Sequence, residues 1–310
     1  MHNEFYGLKK DAFEISPDPS FFCPTVQHKQ AFAKLYSGVQ RHKGFAVLTG
    51  HAGTGKTLLV RWLAGLLESR DVAVAYVFNP QLSAADFVDY ILADLRLAAT
   101  SVSKSRGLFA LNDYLVAQHQ RGTTTVLIVD EAHLLSRELI EEIRLLTNME
   151  TPRQKLLQII LSGQPELDEI IDSPDMPQLK QRIALRCRLQ GLKGAEVEAY
   201  ILRRLELASL NPGPRAIFSK PAVAAVARYS RGIPRLVNTI CENALAMGCA
   251  RRLSIVEASV VDEVASQFGF YAAEDLASHA EDCVHPEQDV PVEVLSERAG
   301  MQGAKLQRVL

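Results

Sequence analysis

Gly50-His51-Ala52-Gly53-Thr54-Gly55-Lys56-Thr57 is the stretch whose reading decides the fold. It fits the pattern G-x-x-x-x-G-K-[ST], and its flanks separate it from an ordinary glycine turn: the apolar run Phe45 to Thr49 precedes it and the amphipathic stretch Leu58 to Glu68 follows. Strand, loop, helix is the context that a P-loop requires. The glycines let the backbone curl so that successive N–H groups and the following helix N-terminus face phosphate oxygens. Lys56 then reaches the β and γ oxygens and Thr57 ligates Mg²⁺. The candidate nucleotide-binding residues are therefore Gly50 through Thr57, with Leu58 opening the helix.

Moving outward, short apolar runs alternate with helical patterns. The predicted strands are Phe45 to Thr49, Val72 to Phe78, Val126 to Val129, Leu157 to Leu161 and, more weakly, Cys187 to Gln190. Each run is continuously apolar, as strands covered on both faces are, so the expectation is an α/β fold: a parallel sheet between helices, residues 1–192. From about Lys193 helical patterns take over (Ala195 to Ser209, Lys220 to Tyr229, Pro234 to Cys249, Ser254 to Phe268), which predicts a small all-helical lid domain, residues 193–270. Asn211-Pro212-Gly213-Pro214 breaks helix and reads as a loop. Residues 271–310 carry eight acidic against three basic side chains and no sustained periodicity, so they read as a mobile acidic tail.

Val126-Leu127-Ile128-Val129-Asp130-Glu131 delivers two carboxylates at the C-terminal end of a buried strand, where open α/β sheets bind ligands. Asp130 is placed to hold Mg²⁺ through water, and Glu131 to polarise the attacking water beside the γ-phosphate. An acidic pair capping the predicted helix Leu134 to Asn148 is the plainer alternative. Asp130-Glu131-Ala132-His133 also spells the motif of one helicase group, but such helicases need a second RecA-like domain, and the residues after 193 are helical and short.

Composition limits the partners. The 310 residues are 47% hydrophobic and 23% charged, and 34 basic side chains against 36 acidic give a formal net charge of -2. Such a chain has no overall electrostatic preference for nucleic acid or anionic membrane. The longest apolar runs fall far short of the roughly 20 residues that span a bilayer, and Met1 to Lys10 lacks the apolar segment of a secretory signal. The expected location is cytoplasmic, without membrane insertion. Five cysteines, odd in number and without a C-x-x-C pair, read as reduced thiols.

These residues resemble the AAA+ superfamily of P-loop ATPases, and more narrowly the general secretion pathway protein A type. The narrower likeness rests on Glu4-Phe5-Tyr6-Gly7-Leu8, Ala12-Phe13, Ser16-Pro17-Asp18-Pro19-Ser20-Phe21-Phe22, His28 and Gly44-Phe45, and runs over roughly residues 4–270. Ala12 stands where that type usually has Pro, and His51 where Glu is common. The resemblance implies MgATP hydrolysis, with ATP and Mg²⁺ bound, by a homo-oligomer that drives or regulates a cell-envelope secretion or export machine through protein contacts. A location peripheral to the inner membrane through a partner goes with it.

The resemblance also assigns roles to single residues. It implies a first sensor at the end of the fourth strand, Ser162 with Gln164 as second choice, and a polar residue closing the second strand, Asn79, that holds Glu131 inactive. Arg235, in Gly232-Ile233-Pro234-Arg235, is similar to the second sensor of AAA+ lids. An arginine finger is expected in Gln178 to Ile183, at Arg182 first and then Arg186 or Arg188, because Lys180, Arg182, Arg186 and Arg188 fall there without an acid. Phe22, Pro24 and Val26 are the candidates for an adenine pocket. Two other readings stay open: a DNA-bound regulator resembling transposition ATPases, which near-neutral charge does not favour, and a slow nucleotide-dependent switch.

Overall fold

A computed structural model of the chain describes residues 2–14, 23–78, 80–97, 103–210 and 216–271. Residues up to Phe270 form one compact unit, and Tyr271–Leu310 are assigned to a second. The predicted tail beyond residue 271 lies outside the described residues, as does the predicted loop at 211–214.

The sheet has five strands, β1 (Phe45–Gly50), β2 (Ala73–Val77), β3 (Thr125–Val129), β4 (Leu157–Gly163) and β5 (Leu185–Leu189), all parallel in the order β2-β3-β4-β1-β5. All five fall on the predicted runs. Every residue of β1, β3 and β4 is buried, which is why those runs carry no polar alternation.

The register sets the functional edge. Val77 pairs with Val129, Val129 with Leu161, Thr49 with Gly163 and Gly50 with Leu189. The C-terminal ends of four strands thus finish level beside β1, and the residues that follow them emerge at one edge.

Helices cover both faces. Helices α2 (Val26–Gln40) and α3 (Lys56–Glu68) pack Leu35, Leu59 and Leu63 on one side. On the other, α4 (Ala84–Asp94), α5 (Lys104–Gln120) and α6 (Arg137–Leu146) contribute Phe87, Ile91, Leu111, Leu115 and Ile143. Each of these side chains is fully buried or nearly so, and each contributes about 1.5–3 kcal/mol relative to exposure. Two short helices, α7 (Glu166–Asp172) and α8 (Pro177–Arg182), link β4 to β5.

A separate cluster is built from α9 (Gly194–Ala208), α10 (Lys220–Ser230), α11 (Pro234–Ala250) and α12 (Ala258–Gln267). The predicted helix Ser254 to Phe268 starts later than its periodicity suggests. Val256 forms a bridge with Phe218 instead, accepting the Ser219 N–H at 3.0 Å and donating to Ile217 O at 2.7 Å. The predicted helix Leu134 to Asn148 likewise begins as a 3-10 turn, Ala132–Leu134, and becomes α6 only after Ser136 caps the Leu139 N–H.

The N-terminal segment, α1 (His2–Tyr6) and the residues up to Phe13, joins this helical cluster rather than the sheet. Tyr6 donates its hydroxyl to Leu253 O at 3.0 Å, Leu8 bridges Ser209, and Lys9 N–H reaches Ala208 O at 2.7 Å. Buried Arg204 donates to Ala12 O at 2.6 Å, with its guanidinium over the Phe13 and Tyr200 rings.

Candidate active site

The loop between β1 and α3 is shaped by positions that admit only glycine. Gly53 has φ +80° and Gly55 φ +96°, in the region that costs any residue with a Cβ. At Gly50 a Cβ would lie 2.6 Å from Leu189 O, so β5 closes on the loop. Thr54, fully buried, donates its hydroxyl to His51 O at 2.8 Å, while His51 and Ala52 face solvent.

Buried His28 braces the loop from α2. Its Nδ1 faces Thr25 Oγ1 at 2.7 Å and its Nε2 faces Thr54 O at 2.9 Å, so the ring donates from Nε2 and accepts at Nδ1. Burial pushes its pKa below the usual value, which favours this neutral form, although the Thr54 carbonyl and the Glu196 charge oppose that shift.

Lys56 is 5% exposed and folds back on the loop, donating from Nζ to Gly50 O at 2.7 Å and His51 O at 3.1 Å. Burial lowers its pKa, the Glu131 and Asp130 carboxylates raise it, and the Arg235 guanidinium lowers it. Thr57 and Leu58 are half-buried on the first turn of α3.

Asp130 follows β3 and is 3% exposed. Ser162 donates to its Oδ1 at 2.8 Å, Tyr76 to its Oδ2 at 3.0 Å, and the Glu131 N–H to Oδ1 at 3.0 Å. Burial and the Asp130 charge raise the Tyr76 pKa far above its ordinary value, so the phenol stays protonated as a donor. Glu131 occupies the left-handed region at φ +50°, and its carboxylate is 41% exposed. A non-glycine residue there is strained, and such strain gathers at functional sites. Glu131 Oε2 lies 3.5 Å from His133 Nδ1, and Gln164 Nε2 lies 2.9 Å from the other ring nitrogen.

The basic stretch after α7 looks different in three dimensions. The sequence places four cations there without an acid, but α7 brings two. Asp168, 8% exposed, accepts from Thr49 and from Arg188 at 2.8 Å each. Asp172 accepts both Arg186 amines at 3.0 and 3.1 Å and lies 2.9 Å from Lys180 Nζ; Arg186 first and Lys180 next pull its pKa down to about 2. Arg186, Arg188 and Lys180 are thus paired within the chain. Arg182, half-buried at the end of α8, makes no ion pair among the described residues and donates only to the Asn148 amide oxygen, at 2.8 Å.

Arg235 enters the site from the helical cluster. It is the second residue of α11, its N–H donates to Gly53 O at 3.3 Å, and a Cβ at Gly53 would meet its own at 2.6 Å. Asn79 and Phe22 lie outside the described residues. Of the other adenine-pocket candidates, Pro24 is half-buried and Val26 is 65% exposed. The sequence reading missed Tyr76, Asp168 and the bracing role of His28. The one signal for Tyr76 was its hydroxyl inside an otherwise apolar strand.

The family model described as AAA domain matches residues 39–171. General secretion pathway protein A of Aeromonas hydrophila is 39% identical over 252 residues, which cover 81% of this chain and 45% of that protein. The chain therefore spans less than half the length of that relative. Among solved structures, Cdc6p from Pyrobaculum aerophilum superposes with a TM-score of 0.65 at 16% identity, over 87% of this chain and 74% of that one. Drosophila ORC bound to DNA gives 0.61 at 20% identity, over 86% and 66%. At such identities the two structures speak for the fold alone. Among the described residues no helix is long and apolar enough to cross a membrane.

Proposed function

We propose that this chain, which belongs to the AAA+ family of P-loop ATPases, binds MgATP and hydrolyses it at a site shared between two copies of itself. The carrying observation is the convergence on one sheet edge of Lys56 after β1, the buried Asp130 with its Ser162 and Tyr76 donors, and Glu131 after β3.

The residues divide the work. Lys56 leaves the Gly50 and His51 carbonyls for the β and γ oxygens, and the N–H groups from Gly50 to Leu58 cradle the phosphates. Thr57 and Asp130 would hold Mg²⁺, the latter through water, since both its oxygens already accept protein hydrogen bonds. The ion would supply neutralisation of phosphate charge. Glu131 orients the attacking water and accepts its proton. Ser162 fixes Asp130, and Arg235 carries the state of the phosphate end to the helical cluster. Arg182, the cation of its segment without an ion pair among the described residues, acts in trans on the neighbouring copy's phosphates.

The likeness to General secretion pathway protein A supports a setting in protein export. We assign the chain to the cytoplasmic face, peripheral to the inner membrane through a protein partner of an export machine. The test is phosphate release beside nucleotide binding. Wild type hydrolyses MgATP, while Glu131→Gln binds it and turns over about 10²-fold more slowly. Normal turnover in that variant would take the base away from Glu131, no turnover in the wild type overturns the hydrolytic reading, and strong stimulation by duplex DNA at moderate salt would replace the export setting with a DNA-bound one.

A further inference from the structure

The N-terminal segment and α11 meet at a group of polar side chains that hydrogen bonding leaves unsatisfied. Helix α1 lies tightly on α11: at Gly248 a Cβ would sit 2.5 Å from the Tyr6 hydroxyl, and at the start of α1 the ring of His2 reaches Glu242. His2 Nε2 lies 3.0 Å from Glu242 Oε1 and 3.9 Å from Asp11 Oδ1. One donor atom from each of the three side chains falls within 4.8 Å of the other two. Asn3 donates its amide to Asp11 Oδ1.

Five buried side-chain polar atoms among the described residues have no hydrogen-bond partner, and three of them, His2 Nε2, Asn3 Oδ1 and Glu242 Oε2, belong to this one cluster. His2 Nε2 and Glu242 Oε1 are close enough for a hydrogen bond but do not make one. A protonated His2 would offer a single proton at Nε2 and leave Glu242 Oε2 unmet, while a neutral ring with its lone pair there would face two carboxylates. Buried polar groups are almost always paired, so three orphans in one place call for a shared partner.

We propose that His2, Asp11 and Glu242 form a Zn²⁺ site that fastens the N-terminal segment to α11. One positive centre with several coordination directions meets the imidazole lone pair and both carboxylates at once. An imidazole beside carboxylates suits Zn²⁺, whereas Mg²⁺ and Ca²⁺ take oxygen donors. Donors held at about 2.0–2.2 Å from such an ion stand roughly 3–4 Å from one another, which is the spacing His2 keeps from its two carboxylates. His2 ligates through Nε2, Asp11 and Glu242 each give a carboxylate oxygen, and water takes the fourth position of the tetrahedron. Asp11, 48% exposed by side chain, leaves the way in from solvent. Asn3 orients the Asp11 carboxylate, as outer partners of metal ligands do. Only the folded chain brings Glu242 to His2 and Asp11, so the ion stabilises the fold that assembles its site. None of the residues assigned to Mg²⁺ takes part.

The test uses the full chain, purified without a histidine tag, stripped of metal by a chelator and titrated with ZnCl₂ in excess Mg²⁺. Calorimetry is expected to show one tight Zn²⁺ in the wild type, with affinity reduced about 100-fold or more in His2→Gln and in Glu242→Gln. The melting temperature should rise with Zn²⁺ in the wild type and in neither variant. X-ray absorption at the zinc edge should show nitrogen and oxygen donors, an imidazole among them, and no sulfur, which separates this site from ligation by cysteine. Should Glu242→Gln fail to fold, His2→Gln, altered at the start of α1, carries the comparison alone. Equal Zn²⁺ affinity in wild type and His2→Gln overturns the proposal, as does sulfur in the shell of the tight ion or a dissociation constant above about 1 mM.

Discussion

Arg235 donates its backbone N–H to the carbonyl of Gly53 at 3.3 Å, so the first turn of α11 is hydrogen-bonded to the phosphate-binding loop. Loop and helical cluster therefore share a boundary that has no room for a methyl group. Gly53→Ala would place its Cβ 2.6 Å from that of Arg235 and would hold an L-residue at φ +80°. The expected cost is about 1–2 kcal/mol from the backbone alone. Denaturant unfolding should show it together with weaker ATP binding, whereas wild-type stability and affinity would argue that the contact does not persist in solution.

Lys56→Ala removes the cation proposed for the β and γ phosphates. Its ammonium sits on carbonyls rather than in an ion pair, so the nucleotide-free protein should lose little stability while ATP affinity falls by about tenfold or more. Titration with a fluorescent ATP analogue measures this, and undiminished affinity would take Lys56 out of the site.

Arg182→Ala should bind ATP as the wild type does and lose most of its turnover, because a finger contributes to the neighbour's site. Specific activity of the wild type should rise with protein concentration. Arg186→Ala and Arg188→Ala should behave differently, since each breaks a pair with Asp172 or Asp168 and acts on the fold of its own chain. Constant specific activity across the monomer-to-oligomer transition would rule out a shared site.

His28 links stability to pH. Burial lowers its folded-state pKa below the unfolded value of about 6.5, so the unfolded chain binds more protons as pH falls through that range. The contribution of neutral His28 is present above about pH 6.5 and is lost as pH drops toward the folded-state pKa. In paired denaturation curves of wild type and His28→Gln, the wild type should lose more stability between about pH 7 and pH 5 than the variant. Parallel pH profiles would show that His28 is solvated. His42, whose pKa burial also lowers, cancels in the comparison.

Legibility varied with the range of the interaction. β1, β3 and β4 were readable because each is a nearly unbroken apolar run, and a strand buried on both faces has no other way to be written, whereas β5, Leu185–Leu189, alternates apolar residues with Arg186 and Arg188 and gave the weaker signal. The P-loop was readable because its glycines and lysine are contiguous. The late start of α12 was not, since the Val256 bridge to Phe218 overrides a helical period that the local sequence supports. The cations near Arg182 look unopposed in the sequence because Asp168 and Asp172 precede residues 178–188, and α7 brings them across.

The sequence by itself determined the sheet, the phosphate-binding loop and the carboxylates Asp130 and Glu131, because each is specified by neighbours along the chain. Only the tertiary structure decided what those groups touch: Tyr76 and Ser162 on Asp130, His28 beneath Thr54, the backbone of Arg235 on Gly53, and the N-terminal segment against the C-terminal helices. These contacts join residues far apart in the chain, and the parallel register and the packing of helix on helix select them. Local pattern reports what a residue can do, while its partner is fixed by where the fold ends each strand.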